Sequence, residues 1–251
     1  MRITKDNINE FIKDSIMHCD NKGITHIDYI PDHIKYLYCN KNELTELPKL
    51  PESLIHLYCN NNELTELPKL PDNLRTLNCD NNKLTEMPKL PESLVKLNCY
   101  DNELTELPIL PDNIIFLYCY NNKLTKLPKL PDSLKDLNCE NNKLTSLPKL
   151  PESLLYLDCN NNQLTKLPKL PESLRGLYCY NNNLTELPKL PEGLINLYCG
   201  SNNLTELPKL PENLEHLNCY DNKLPYEITI ENLKEHNTLI KRKNILSKIC
   251  V

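Results

Sequence analysis

LPKLPESLIHLYCNNNELTELPKLPDNL, Leu47–Leu74, holds one copy of a 20-residue phrase and the start of the next. Outward from it the period runs without an insertion. Cys19, Cys39, Cys59, Cys79, Cys99, Cys119, Cys139, Cys159, Cys179, Cys199 and Cys219 keep even spacing, and only Cys250 stands outside the series. All 20 prolines fall in the same frame, as pairs from Pro48/Pro51 to Pro208/Pro211 with Pro31 and Pro225 at the two ends. A fixed period of this length predicts an array of small units, each covering its neighbour's apolar side, so that the core is a line.

One coil can be read residue by residue. Around Cys59 the pattern is Leu54-x-x-Leu57-x-Cys59-x-x-Asn62-x-Leu64. The alternation at Leu57 and Cys59 predicts a short strand with these two inward and His56, Tyr58 and Asn60 outward. Asn62 and its copies from Asn42 to Asn222 fall where the chain turns inward and backbone groups lose their partners; an amide donates and accepts at once, so these asparagines are expected to be fold elements. Lys22 takes this place in the first coil, which is degenerate as a terminal repeat should be. Pro68 and Pro71 remove donors and push their predecessors out of helical geometry, so the opposite flank is expected to be extended and polyproline-like.

From Ile24 to Leu224 the chain resembles the leucine-rich repeat, L-x-x-L-x-L-x-x-N-x-L, with cysteine at the third leucine in ten successive coils. The resemblance implies a mostly β α/β solenoid: right-handed, with a concave parallel sheet and an extended convex side. Residues 18–224 would form the repeats, between helical caps at 1–17 and 225–251. The proline-bearing 20-residue coil looks like the short bacterial class found in secreted effectors of the YopM and IpaH kind. Those that are enzymes carry a separate C-terminal ubiquitin-ligase domain, for which the 27 residues after Leu224 are too few. The cysteine-bearing, Asn- and Lys-rich version, with its ending LPYEITIENLKEHNTLIKRKNIL, looks closer to the leucine-rich repeat proteins of giant amoeba viruses of the mimivirus type.

The ends need polar covers. Ile8, Phe11, Ile12 and Ile16 make an apolar helical stripe within Lys5–Met17, with Thr4 or Asp6 as N-cap, and predict a capping helix. The segment is too short for a three-helix F-box. Thr229 is expected to open a second helix to Ile249, with Ile230, Leu233, Ile240 and Leu246 over the last coil. Its Lys241-Arg242-Lys243 run reads as a solvated face, with contact to an acidic partner as the alternative.

Composition excludes several functions. At 39% hydrophobic and 25% charged the chain is globular, and its net charge of -5 argues against a nucleic-acid partner. The column Lys49, Lys69, Lys89, Lys129, Lys149, Lys169, Lys189 and Lys209 runs beside Asp and Glu from Glu52 to Glu212, so it reads as a neutralised flank. No apolar run approaches the roughly 18 residues of a membrane span, and the charged N-terminus lacks a signal-peptide core. The expected location is the cytoplasm, of the host cell if the protein is viral. The Asn183 and Asn203 acceptor triplets are therefore read as repeat drift. No metal or cofactor is expected: C-x-x-C spacing is missing and His18, His26, His33, His56, His216 and His236 are scattered. No catalytic constellation or glycine-rich loop is present, so an enzyme is not expected. The cysteines are expected to be buried, reduced and inert.

Function is expected where packing does not dictate the residue: three before, one before and one after each cysteine. These places hold Tyr36, Tyr38, Tyr58, Tyr100, Tyr118, Tyr120, Tyr156, Tyr178, Tyr180, Tyr198 and Tyr220, which are 11 of the 13 tyrosines, with Phe116 and many asparagines. Tyrosine with asparagine gives rigid amphipathic area beside adaptable hydrogen bonds, the chemistry of a protein-binding surface. Asp136, Glu140 and Asp158 could receive a partner's Arg or Lys on the same face. The expected molecule is a monomeric, non-enzymatic scaffold for a protein partner. Two alternatives stay open: tyrosine and asparagine simply suit an exposed strand, or the chain is a structural, self-associating repeat protein.

Overall fold

The computed structural model describes residues 1–249, apart from the side chains at 244 and 246–249. It divides into two compact units, Met1–Leu134 and Lys135–Val251.

The first unit opens with Arg2–Ile3 (β1), Ile12–Lys13 (β2), Ile16–His18 (β3) and His26–Ile27 (β4). It continues with Tyr36–Tyr38 (β5), His56–Tyr58 (β6), Thr76–Asn78 (β7), Lys96–Asn98 (β8) and Phe116–Tyr118 (β9). β1 pairs in parallel with β4, and β2 lies antiparallel on β3. β3 pairs directly with β5, and from there through β9 the strands add one by one in parallel, each residue facing its counterpart one coil on: Leu37 opposite Leu57, Leu57 opposite Leu77. The second unit repeats the arrangement with Asp136–Asn138 (β10), Tyr156–Asp158 (β11), Gly176–Tyr178 (β12), Asn196–Tyr198 (β13) and His216–Asn218 (β14), then a helix, Leu233–Ile249 (α1).

Each coil is built the same way. In the one around Cys59, Leu54, Leu57, Cys59 and Leu64 are fully buried, and Leu67 and Leu70 nearly so. The Leu54 amide closes a turn onto the Pro51 carbonyl at 3.0 Å. Residues 65–71 carry neither helix nor strand. Two residues after each cysteine the backbone enters the left-handed region: φ is 56° at Asn61, 51° at Asn81 and 50° at Asp101. Asn and Asp tolerate that conformation better than other side chains, which explains their recurrence there.

That turn aims the next residue, the ladder asparagine, into the coil. The Asn62 Nδ2 donates to the carbonyls of Cys39 and Cys59, both at 3.0 Å, and its Oδ1 accepts the Leu44 amide at 3.0 Å. One side chain thus ties its own coil to the preceding one. At the degenerate first coil, Asn42 Oδ1 takes the amides of both Lys22 and Ile24. The cysteines form a second ladder. The Cys19 amide and thiol both donate to the Tyr38 carbonyl, at 2.8 and 3.2 Å, and Cys59 and Cys79 do the same one coil on. Burial pushes the Cys99 and Cys179 thiols up to about 12.

The N-terminal segment does not form the expected helix. Ile8–Phe11 is a single 3-10 turn, followed by the β2–β3 hairpin with Asp14 at φ 55°. Two local features defeat the helix: Asn7 Oδ1 captures the Thr4 amide at 2.8 Å, and a residue in left-handed geometry cannot lie inside a helix. The apolar stripe is still used, since Ile8 and Phe11 are buried. Met17 takes the place of the strand leucine, opposite Leu37, so the coil pattern begins inside the segment expected to cap it.

At the other end the helix starts at Leu233, four residues after the expected opening, because Asn232 Oδ1 accepts the Thr229 amide. Leu233 is buried, Ile240 half-buried and Ile230 exposed; Leu246 and Cys250 lie outside the described residues. α1 docks by polar contacts. Asn237 both donates to and accepts from the Leu210 backbone at 2.8 Å, and the buried His236 ring lies between the Tyr226 hydroxyl and the Pro208 carbonyl. Within the Lys241-Arg242-Lys243 run, Lys243 pairs with Glu206 of the repeats. In the lysine column, Lys189 and Lys209 meet Glu172 and Glu192 at 3.7 and 3.1 Å. These exposed pairs add little stability.

Asn62→Ala strands the Leu44 amide and leaves the Cys39 carbonyl to Asn42 Nδ2 alone, and urea unfolding should show a loss of about 1–3 kcal/mol. Asn61→Gly, one residue away, keeps the left-handed turn and should change stability by less than about 0.5 kcal/mol. In the native protein a thiol reagent at pH 8 should leave Cys59 through Cys199 unmodified and label them all once urea unfolds the chain. Rapid native labelling of several of them would contradict the buried ladder.

Candidate protein-binding face

Because Leu and Cys point inward, the residues between them line the opposite side of each sheet. In the first unit the registers stack three columns. The first runs Tyr36, His56, Thr76, Lys96, Phe116; the second His18, Tyr38, Tyr58, Asn78, Asn98, Tyr118. The third, just after the cysteines, includes Asn40, Asn60, Asp80, Tyr100 and Tyr120.

The parallel register turns like residues into stacks. Tyr38 lies between His18 and Tyr58, with ring centroids 4.9 and 4.8 Å away and planes within 6°. Tyr36 stacks on His56 at 4.8 Å and Tyr100 on Tyr120 at 4.2 Å. The Lys96 ammonium sits 5.7 Å from the Tyr118 ring centroid, and Phe116 is exposed. Stacked rings hold each other's rotamers, so the face presents aromatic area with little left to order.

In the second unit Tyr178 stacks on Tyr198 at 5.2 Å, while Tyr156 and Tyr220 are exposed. Glycines on this face make room for rings. A Cβ at Gly176 would lie 2.9 Å from the Tyr156 ring and 3.0 Å from that of Tyr178. At Gly200 it would meet Asn218 Oδ1 at 2.8 Å, and across this gap Tyr180 reaches Tyr220, two coils away, at 6.0 Å.

The acidic trio lies on the same face. Asp136 is opposite Tyr156, and Asp158 is opposite Asn138 and Tyr178. The Asp158 Oδ1 accepts the Asn160 amide at 3.1 Å, and Glu140 Oε1 accepts Asn161 Nδ2 at 3.0 Å. Burial, with the charges of Glu140 and Asp136, raises the Asp158 carboxyl to about 6 against the pull of the Asn160 amide.

One acid outside the expected set also belongs here. Asp80 is 1% exposed; its Oδ2 accepts Asn81 Nδ2 at 3.2 Å, whereas its Oδ1 is buried without a partner. Tyr100 holds the same position one coil on, and burial raises the Asp80 carboxyl above the usual carboxylate range. Its place after Cys79 was visible in the sequence; its burial was not. Among the described residues no group of three metal-ligating side chains occurs.

The leucine-rich repeat family model matches residues 73–94. The leucine-rich repeat domain of a Shigella effector is 32% identical, covering 74% of this chain and 76% of that one, with a TM-score of 0.53. The chain is a leucine-rich repeat protein. YopM from Yersinia enterocolitica is 34% identical over 85% of the chain with a TM-score of 0.65, and the chain spans 57% of its length. The functional domain of InlJ from Listeria monocytogenes, which includes a cysteine ladder, is 27% identical over 89% of this chain and 56% of that one, with a TM-score of 0.67. No curated protein matches the sequence. The repeats thus resemble those of YopM-type effectors.

The raised Asp158 carboxyl has a testable sign. A folded-state pKa above the unfolded one favours folding below the unfolded value, and that contribution is lost as pH rises through about 6. Asp158→Asn keeps the acceptor for Asn160 and removes the charge. Its melting temperature should equal the wild type's at pH 4 and exceed it at pH 7. An equal or lower value at pH 7 would show that Asp158 is not held against its charge.

Proposed function

We propose that the protein is a non-enzymatic scaffold that binds a protein partner on its strand faces, as a monomer in the cytoplasm of the cell where it acts. The supporting observation is the placement of Tyr36, Tyr38, Tyr58, Tyr100, Tyr118 and Tyr120 in one unit and Tyr156, Tyr178, Tyr180, Tyr198 and Tyr220 in the other, on positions that packing leaves free. Repeat arrays present such faces for binding. Rigid aromatic rings beside Asn, Asp and Glu suit a protein surface carrying Arg or Lys. Among the described residues no helix is long and apolar enough to cross a membrane.

The test compares capture of proteins from a cytoplasmic lysate by the wild type and by two variants, Tyr38→Ala/Tyr58→Ala and Tyr178→Ala/Tyr198→Ala. A specific partner should be lost about tenfold or more in at least one variant while its melting temperature stays near the wild type's. Equal capture by both folded variants would refute the strand faces as the site.

A further inference from the structure

Every strand leucine from Leu37 to Leu197 is fully buried, but Leu217, the same position in β14, is partly exposed. β14 pairs with β13 on one side and, among the described residues, with no strand on the other. No α1 residue is among those lining the cleft at this edge; the helix's hydrogen bonds to the repeats go to Pro208, Leu210 and Glu206. The thiols of Cys19, Cys59, Cys79 and Cys139 each donate to a carbonyl of the next strand. Cys219 instead donates to the Ile228 carbonyl at 3.3 Å, so the segment after the coil satisfies the thiol without supplying a strand.

Beside the edge opens a cleft of about 610 Å³. Leu217, Leu224 and Ile230 give it apolar walls, and its charged residues are Asp221, Glu227 and Glu231, with no Lys or Arg among its lining. An unpaired edge offers a row of backbone donors and acceptors to an extended chain. The acidic rim favours a basic visitor and disfavours a second copy of a chain whose own net charge is -5.

We propose that the free edge of β14 takes an extended segment of a partner protein as one more parallel strand. An apolar side chain of that segment would sit over Leu217, and flanking Lys or Arg would face Asp221, Glu227 and Glu231. The cleft shares Tyr220 with the tyrosine-lined face of its unit, but the proposal rests on the backbone edge and the acidic rim and goes beyond the function proposed for the tyrosines.

Fluorescence anisotropy on the full chain tests this with three synthetic heptapeptides: alternating valine and threonine with lysine at both ends, the same with glutamate at both ends, and the lysine version with a central proline. The lysine probe should bind saturably, the glutamate probe at least about tenfold more weakly, and the proline probe not detectably. Glu227→Lys/Glu231→Lys, at exposed positions, should weaken the lysine probe about tenfold, and Tyr178→Ala/Tyr198→Ala should not. Hydrogen exchange of the wild type, which needs no variant to fold, should slow at the Leu217 and Cys219 amides with the lysine probe bound. Equal binding of lysine and glutamate probes, no binding below about 1 mM, or protection elsewhere would overturn the proposal. So would a concentration-dependent doubling of mass that the charge reversal abolishes, since the occupant would then be a second copy.

Discussion

The fold hangs on an amide that serves two coils at once. Within each unit a ladder asparagine donates to carbonyls of its own coil and the preceding one, and accepts a backbone amide from the preceding one; Asn182, for instance, reaches the carbonyls of Cys159 and Cys179 and the Leu164 amide. Each cysteine carbonyl is thus shared by two successive ladder asparagines, as Cys159 is by Asn162 and Asn182, while the buried amide has the ladder oxygen alone and would lose about 1–3 kcal/mol without it. The geometry works only if the same atom recurs one coil later, about one strand spacing away. An inserted residue would move the amide off its carbonyls and turn the strand leucine outward. The invariant period is therefore a physical requirement of the hydrogen bonding.

Cysteine at the third apolar place follows from the same crowding. The position sits on the carbonyl that pairs with its own amide, as the 2.8 Å amide and 3.4 Å thiol contacts of Cys139 to Asp158 illustrate. A leucine there would fill the volume but offer no donor. A serine would donate but bring a more polar group into an apolar column. The thiol is small, weakly donating and content in apolar surroundings. Its inertness is a consequence of that role, because the burial that suits the packing also suppresses the thiolate.

Legibility in the sequence followed repetition. Inward Leu57, Cys59 and Asn62 could be placed because ten copies vote for one geometry. The N-terminal segment has one copy, and its Ile8, Phe11, Ile12, Ile16 spacing fits a helix as well as a turn followed by a hairpin. Asn7 and Asp14 decided between them, through a side-chain hydrogen bond and a left-handed backbone that periodicity does not report. Asp80 was hidden for a related reason. Its burial depends on neighbouring coils, whereas Tyr38 and Asp136 could be assigned to the strand face from their own coil alone.

The division of labour inside a coil explains why its face is free to specialise. Inward positions and the ladder residue satisfy the core and the backbone, so exchanging His56, Thr76, Lys96 or Phe116 in one column leaves the register intact. Register then acts on whatever stands there: tyrosines in successive coils become stacks, and a glycine such as Gly176 becomes a seat for rings. The terminal strand escapes this rule. Among the described residues no strand pairs with the outer edge of β14, and its leucine is partly exposed. The array thus has two chemically different surfaces, one made of side chains in register and one made of main chain, which meet at Tyr220.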